Sequence, residues 1–413
     1  MRRLLLASPL VLALVGCGLK GTDTGKDEGG GSGGEQVAQA GANGAAKDPL
    51  ASRDPSGNGP IGADQRDDKP RPVMQAQVVL DRLGFTPGVV DGSMGLSTRN
   101  ALEGFQQANN LKESGELDEP TKQALGQWSN IPATRVVTIP ADFAQGPFYA
   151  VPDEPEDQAK MPALTYASLD EKLAERFHTT VEVLKELNPG GVPAGMAGPA
   201  GAASASPSAS ATPTPSPSAS ASGAGFTPQS GPASFFRAGQ QIRVPNVGAD
   251  QIDPNAVDDG GWLTTLRMLG VGTNQPKVDK IVVDKSDGTL EAYDAGGKLV
   301  AAFTATMGST KDPLPLGDWK ILGVSKNPPF NYNPDLFWDA KPGDKKAKLP
   351  PGPNGPVGVV WIDLSKEHYG IHGTPEPQTI GRAQSHGCVR LTNWDVARLA
   401  QMVSTRTKVS FVA

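Results

Sequence analysis

Cysteine, aromatic residues and clusters of positive charge are scarce in this chain of 413 residues. The two cysteines, Cys17 and Cys388, are too few for a disulfide-stapled scaffold or a four-cysteine zinc site. Lys and Arg number 38 against 44 Asp and Glu, a formal net charge of −6, and the basic residues form no block. Because nucleic-acid binding needs a basic surface, we expect no nucleic-acid partner.

Glycine and proline are abundant by contrast. The 50 Gly and 38 Pro make up 88 of the 413 residues. That is about a fifth, where proteins average roughly an eighth. At about 150 residues per domain, the length allows two or three folded units. The composition therefore predicts a multidomain chain of small domains joined by low-complexity spacers.

The N-terminus, residues 1–17, has the pattern of an export signal. Arg2 and Arg3 precede an apolar stretch, residues 4–14, that is too short to span a bilayer, and Cys17 follows at its end. This pattern resembles a bacterial lipoprotein signal peptide, in which the chain is cut before the cysteine and the thiol receives a lipid. The resemblance implies a periplasmic protein anchored to a membrane through Cys17, with the outer membrane favoured by Gly18. An ordinary secretory signal is the alternative.

Residues 18–72 are predicted to be a disordered tether. They contain no aromatic residue, and their large aliphatic residues are Leu19, Val37, Leu50 and Ile61. Such a segment buries too little apolar surface to offset the entropy of ordering it. A flexible chain of this length has an r.m.s. span of about 40 Å, enough to place the folded part near the cell wall.

Residues 73–128 predict a small bundle of three helices. Apolar residues recur at helical spacing, Ser97 is a candidate cap of the second helix, and Asp118 a candidate cap of the third. The order of core and turn residues resembles a peptidoglycan-binding domain of the first type. The residues that carry this resemblance are Gly84, Phe85, Asp91, Gly92, Gly95, Thr98, Ala101, Phe105, Gln106, Leu111, Gly115, Leu117, Asp118, Thr121 and Leu125.

A second module is split between residues 140–189 and 235–247. Two capping boxes predict two short helices, and a short strand is predicted near 241–245. The boxes are Ser168 with Glu171 and Thr179 with Glu182. This order resembles a lysin motif, a glycan-binding fold, with residues 164–166 as the candidate opening strand. A packing domain between the other two modules is the alternative.

The two halves of this module are separated by a stretch with no charged residue, from 187 to 236. It is dominated by Ala, Ser, Pro, Thr and Gly, which predicts a disordered insertion over residues 190–234. Because loop closure costs only about 0.6 kcal/mol per doubling of length, removing residues 191–234 is expected to leave the thermal midpoint nearly unchanged.

Residues 278–413 predict a mainly-β module with one clear helix. That helix is expected over residues 394–403, with Asn393 as its cap. The candidate strands are residues 281–284, 289–293, 299–307, 317–322 and 357–364.

The residues suited to catalysis cluster in this last module. His368, His372 and His386 all lie within twenty residues of Cys388. A cysteine nucleophile needs a nearby base to form a thiolate at neutral pH, and His372 is positioned to supply it from a neighbouring strand. The turn formed by Ser385, His386 and Gly387 offers backbone amides to a developing oxyanion.

Two alternatives remain for this cluster. Cys388 is an inert buried thiol in one of them. In the other, His368, His372, His386 and Cys388 ligate zinc. The prolines that follow His372 disfavour the helix that would place His368 and His372 on one face.

The sequence from Tyr369 to Thr374, together with the segment from Ser385 to Leu391, resembles the L,D-transpeptidase catalytic domain, the YkuD family. The resemblance implies a β-sandwich-like fold and acyl transfer between peptidoglycan stem peptides, without metal or cofactor. Cys388 would be the nucleophile and His372 the general base. Supporting roles fall to Gly373, whose carbonyl orients His372, and to the residues around the substrate, Ser385, His386, Gly387 and Arg390.

Two other functions stay open. One is hydrolysis of the same acyl-enzyme, and the other is a wall-binding lipoprotein without catalysis. Outside the cluster, His178 is interpreted as a surface or capping histidine, and Trp361 and Tyr369 as core residues.

Overall fold

A computed structural model describes residues 67–196, 226–248 and 252–413. The predicted signal with Cys17, the tether up to residue 66 and the middle of the insertion, residues 197–225, lie outside the described residues. Within the described part, no helix combines the length and apolar character needed to cross a membrane.

The first module is the predicted bundle of three helices with one short strand. Its elements are α1 (Pro72–Leu83), β1 (Phe85–Thr86), α2 (Leu96–Ala108) and α3 (Glu119–Leu125). The Asp118 side chain accepts a hydrogen bond from the Thr121 N–H at the start of α3, the geometry of an N-cap. The expected cap at Ser97 is wrong, because α2 begins directly after Gly95.

The middle module is a two-stranded sheet with helices between its strands. It consists of β2 (Thr134–Thr138), α4 (Pro155–Gln158), α5 (Leu169–Arg176), α6 (Val181–Leu187) and β3 (Gln241–Pro245). The strands β2 and β3 pair antiparallel, with Val136 opposite Arg243. The opening strand is therefore β2, which lies before residue 140, and the expectation of a strand at 164–166 is wrong. The backbone of this segment is hydrogen-bonded outside the module: Leu164 N–H donates to the Pro351 carbonyl.

The predicted cap of α5 is confirmed, and the predicted cap of α6 is wrong. The Ser168 hydroxyl accepts from Glu171 N–H and the Glu171 carboxylate accepts from Ala167 N–H. The second helix is capped by Thr180, which accepts from Val183 N–H. The predicted Thr179 cap is wrong because its hydroxyl donates to the Val90 carbonyl of the first module, at 2.7 Å.

The third module is mainly β, as predicted, with one helix before it and one near its end. Its helices and strands are α7 (Gly260–Leu269), β4 (Lys280–Asp284), β5 (Thr289–Tyr293), β6 (Leu299–Thr304), β7 (Thr306–Met307), β8 (Gly317–Lys326), β9 (Phe330–Tyr332), β10 (Ala347–Leu349), β11 (Val360–Leu364), β12 (Gly370–His372), β13 (Val389–Arg390), α8 (Asn393–Met402) and β14 (Lys408–Val412). The cap of α8 is Thr392 rather than Asn393, since its hydroxyl accepts from Asp395 N–H.

One large sheet organises this module. Its strand order is β1–β6–β5–β4–β14–β8–β11–β12–β13–β7, while β9 and β10 form a separate hairpin. Apolar residues of α7 and α8 pack on the sheet in the largest hydrophobic core of the described residues. The sheet places β12 and β13 side by side and parallel. This pairing brings the segment that contains His372 next to the segment that contains Cys388.

The three modules are packed together, although the composition predicted domains separated by spacers. The strand β1 of the first module extends the sheet of the third, with Phe85 opposite Ala302. Gly104 of α2 lies so close to Ala302 that an added Cβ would be 2.7 Å from the Ala302 methyl group. The described residues accordingly belong to one compact unit.

His178 lies at the centre of this packing, so its interpretation as a surface histidine is wrong. The ring is fully buried and contacts Asp81 Oδ1 at 3.0 Å and the Leu269 carbonyl at 2.9 Å. It stacks on Trp394 of α8 with ring centroids 4.9 Å apart. Burial acts to raise the pKa of Asp81, but Arg398 and His178 hold it well below its usual range. This buried network joins all three modules.

Both ends of the predicted insertion make hydrogen bonds. Leu169 N–H donates to Ser234 Oγ at 2.9 Å. Ala150 N–H donates to the Gln229 carbonyl at 3.0 Å, and Arg243 Nε donates to the Ala194 carbonyl at 2.8 Å. Residues 191–196 and 226–234 are therefore part of the middle module, and the predicted boundaries of the insertion are too wide.

Deleting residues 191–234 is now expected to destabilise the protein. The deletion removes the partners of Leu169, Ala150 and Arg243, and each lost hydrogen bond costs about 1 kcal/mol or more when a buried group stays unpaired. Differential scanning calorimetry should show a thermal midpoint lower by several degrees. A deletion limited to residues 197–225 removes none of these bonds and is the control; equal midpoints for the two deletions would contradict the prediction.

Candidate active site

Two adjacent strands bring the segments of Cys388 and His372 together: His372 ends β12, and Cys388 directly precedes β13. β12 and β13 pair in parallel, with Ile371 opposite Val389 and His372 opposite Arg390. Side chains alternate along a strand, so the side chains of His372 and Arg390 share one face. Cys388 lies in the bend directly before β13, two residues before Arg390. Its sulfur contacts the His368 carbonyl and the Gly370 N–H, at the start of the strand that holds His372.

The His372 ring is buried and held in one tautomer. Its Nδ1 lies 2.7 Å from the Gly373 carbonyl oxygen. A carbonyl only accepts hydrogen bonds, so Nδ1 carries the proton and Nε2 keeps the lone pair. Burial lowers the pKa of His372 to about 3, and the positive charge of Arg390 acts in the same direction. At neutral pH the imidazole is therefore neutral and able to accept a proton at Nε2.

Trp361 supports the ring from the neighbouring strand. The two rings are stacked, with centroids 5.5 Å apart and an interplanar angle of 24°. The same indole covers Gly370, where an added Cβ would lie 2.6 Å from Trp361 Cζ2. Trp361 was interpreted as a core residue, but it packs against the histidine of the site.

The Cys388 thiol is half-buried and neutral before reaction. Its Sγ lies 3.7 Å from the His368 carbonyl oxygen, to which it donates. Burial raises the pKa of the thiol, while the Gly370 N–H and Arg390 act in the opposite direction. The resting pair is a thiol beside a neutral imidazole, so the proton must move from sulfur to His372 as the sulfur attacks.

Ser385 supports the loop that carries Cys388. Its buried hydroxyl accepts from Gly308 N–H and donates to the Cys388 carbonyl, both at 2.6 Å. These bonds hold the cysteine loop, and a direct role of Ser385 at the substrate stays a prediction. Gly387 is needed for a different reason: its φ is +93° and the Tyr369 ring occupies the position of a Cβ.

His386 faces a segment that sequence analysis did not connect with the site. Its Nε2 lies 2.8 Å from Asp339 Oδ1. The rings of Phe337 and Trp338 lie 5.0 and 5.4 Å from it, centroid to centroid. These residues belong to the loop between β9 and β10, and no local pattern in the sequence links them to His386 across that distance.

The zinc arrangement considered from the sequence has no set of ligands in the described part of the chain. There, no three His, Cys, Asp or Glu side chains are grouped to hold a metal ion. His368 lies in the turn between β11 and β12 with a φ of +66°, and its side chain is exposed beside Glu367, at 3.5 Å. Only its carbonyl oxygen contacts Cys388.

Two parts of the chain match known protein families. Residues 279–410 match the L,D-transpeptidase catalytic domain, YkuD, and residues 70–125 match the putative peptidoglycan binding domain. These ranges correspond to the third and first modules. Neither match covers the middle module.

Similar proteins carry the same family name. A putative L,D-transpeptidase YkuD of Bacillus licheniformis is 55% identical over 131 residues, which are 32% of this chain and 64% of the relative. A putative L,D-transpeptidase of Fuscovulum blasticum is 30% identical over 132 residues, 32% of this chain and 68% of the relative. A solved L,D-transpeptidase from Mycobacterium smegmatis aligns with 32% of this chain and 58% of its own, at 21% identity and a TM-score of 0.27. The chain thus spans less than two thirds of the Bacillus licheniformis relative.

Proposed function

Because the chain belongs to the L,D-transpeptidase family, we propose that it cross-links peptidoglycan by acyl transfer through a thioester on Cys388. The observation that carries this proposal is that Cys388 directly precedes β13, the strand that pairs with the one holding His372. The Gly373 carbonyl supports it, because it leaves Nε2 of His372 as the proton acceptor. The match of residues 70–125 to a peptidoglycan binding domain favours the same substrate.

The reaction has two half-reactions in this proposal. In the first, Cys388 Sγ attacks the carbonyl that follows an L-centre in a stem peptide, and His372 Nε2 takes the thiol proton. The C–N bond then breaks, the terminal D-amino acid leaves with the proton from His372, and a thioester remains. In the second, the amine of an acceptor stem attacks the thioester carbonyl and gives its proton to His372. The C–S bond breaks as the new amide forms, and His372 returns the proton to the sulfur, which restores the thiol.

The positive charge of Arg390 supports this chemistry. It lies on the reacting face opposite His372, and it acts to lower the pKa of Cys388 and of His372. Arg390 therefore stabilises negative charge on sulfur, and it keeps the base neutral before the attack. His386 contacts Asp339 and the aromatic residues beside it, and a role of this group at the substrate stays a prediction.

The test is mass spectrometry of the purified protein incubated with tetrapeptide stems. We expect an adduct on Cys388 equal to the stem mass less the departing D-residue, and dimeric muropeptides when acceptor stems are present. A strong chelator should leave both unchanged. Tripeptide products without dimers would favour hydrolysis of the acyl-enzyme, and the absence of any adduct would contradict acyl transfer. As the family resemblance implies, a carbapenem β-lactam should acylate the same thiol.

We further propose that Cys17 carries a lipid and that the chain acts in the periplasm, anchored to the outer membrane. The support is the signal-like pattern of residues 1–17. Cys17→Ala should yield an unlipidated protein, which fractionation and mature mass would detect. A wild-type protein that is recovered without lipid would contradict the anchor. Attachment of a protein to the wall, as the acceptor reaction, and glycan binding by the middle module stay predictions.

A further inference from the structure

Asn393, the first residue of α8, occupies a slot between two glycines next to the active site. Its Oδ1 accepts a hydrogen bond from Val359 N–H at 3.2 Å. A Cβ on Gly358 or on Gly373 would overlap this oxygen. Gly373 is the residue whose carbonyl oxygen fixes the His372 ring. The Asn393 side chain therefore packs against the backbone that orients the histidine.

The orientation of the Asn393 amide is set by two hydrogen-bond acceptors. Its Nδ2 donates to Glu175 Oε1 at 2.8 Å and to the Pro353 carbonyl at 3.1 Å. Since only the NH₂ group can donate to both, the amide oxygen is left to face Val359 and the glycine slot. Glu175 belongs to α5 of the middle module, so a side chain from another module is one of the two acceptors that set this orientation.

Glu175 is fully buried and has a second partner within its own module. Its Oε2 accepts from the Tyr166 hydroxyl at 2.8 Å. Burial raises the pKa of Glu175 to about 8, although Asn393 and Tyr166 act to lower it. The carboxyl is therefore largely protonated at neutral pH, and glutamine has nearly the same shape and hydrogen-bonding groups.

We propose that Glu175 and Asn393 are positioning residues for proton transfer between Cys388 and His372, so that the middle module tunes the reactivity of the thiol. The inference rests on the proposed function. Without the Glu175 acceptor, the Asn393 amide can rotate and the Gly373 backbone loses its neighbour. The His372 ring then samples orientations in which the Nε2 lone pair no longer faces the sulfur.

The test measures the alkylation of Cys388 by iodoacetamide in the full chain between pH 5 and pH 10, read by mass spectrometry of its peptide. Glu175→Ala and Asn393→Ala should slow alkylation at pH 7 by about tenfold, a fraction of what a general base contributes. Glu175→Gln should react within about twofold of wild type, because its amide oxygen still accepts from Asn393 and its NH₂ group can donate to the Tyr166 hydroxyl oxygen. Should Glu175→Ala fail to fold, Glu175→Met fills the volume without accepting a hydrogen bond.

The matched control is Glu171→Ala, one turn earlier on α5. The Glu171 carboxylate accepts from Ala167 N–H, so this variant disturbs the same module without removing the partner of Asn393. It should lower the thermal midpoint and leave the pH profile of alkylation in place. If Glu175 has only a structural role, Glu175→Ala and Glu171→Ala should both lower the thermal midpoint and leave the pH profile of alkylation unchanged. That result would overturn the inference.

The decisive comparison is made in a His372→Ala background. If Glu175 acts through the histidine, Glu175→Ala causes no further slowing once His372 is gone. Equal slowing in both backgrounds, or alkylation at the wild-type rate in Glu175→Ala, would overturn the inference. Iodoacetamide needs no stem peptide, so these outcomes do not depend on acyl transfer. If His372→Ala alone left alkylation unchanged, both the inference and the proposed base would be wrong.

Discussion

Cys388→Ser is expected to lose acyl transfer by a factor of at least about a thousand while the fold stays intact. An alcohol has a far higher pKa than a thiol, and burial lowers the pKa of the neighbouring His372 to about 3. Such a base accepts a proton from a thiol as the sulfur attacks but cannot deprotonate a hydroxyl. The measurement is muropeptide turnover together with the intact mass after incubation with tetrapeptide stems.

The serine variant is a fair test because it changes little else. The side chain is half-buried, and the loop is held by Ser385 through the Cys388 backbone carbonyl rather than through sulfur. The thermal midpoint should therefore stay close to that of the wild type. Turnover within tenfold of wild type at an unchanged midpoint would mean that Cys388 is not the nucleophile.

His372→Ala is expected to slow acyl transfer at pH 7 by about a hundredfold or more, the usual contribution of a general base. The thiol remains, so activity should partly recover at alkaline pH, where the thiolate forms without a base. His386→Ala should have a smaller effect, because its ring contacts Asp339 and aromatic side chains and takes no part in the proposed proton transfer. An equal loss in both variants would contradict the assignment of the base to His372.

The lowered pKa of His372 also predicts the acid side of the pH profile. The wild-type rate should not fall through pH 6.5, the ordinary pKa of histidine, because His372 stays neutral until the pH approaches about 3. The stability of the fold, unlike the rate, should change in this range. Between pH 6.5 and about 3, the His372 side chain binds a proton in the unfolded state but not in the folded state. The folded protein therefore loses stability as the pH falls from 6.5, and His372→Ala should remove part of that loss.

The first and middle modules are joined to the third by buried polar contacts. Asp81 forms a buried ion pair with Arg398 and a hydrogen bond with His178, and these contacts join all three modules. Removing one partner of such a contact leaves a charge buried without compensation, which is strongly destabilising. The peptidoglycan-binding module is therefore part of the same folded unit as the catalytic module, and the two are expected to unfold together.

Several elements could be predicted from the sequence because their signals are local. The caps at Asp118 and Ser168 bond to amides three residues away, and the strands β4 and β5 flank a short turn. The cysteine motif is also local, since it lies within a few positions of Ser385 and Arg390. Such features depend on interactions between near neighbours in the chain, which the pattern of residues determines.

Other elements were decided only by the tertiary structure. β2 pairs with a strand more than a hundred residues later, Thr179 bonds to the first module instead of capping its helix, and His178 becomes a core residue of the assembled unit. The contact of Glu175 with Asn393 spans 218 residues. Pairings at such separations leave no periodic trace in the sequence, because their energy comes from desolvation and packing that exist only once the modules have docked.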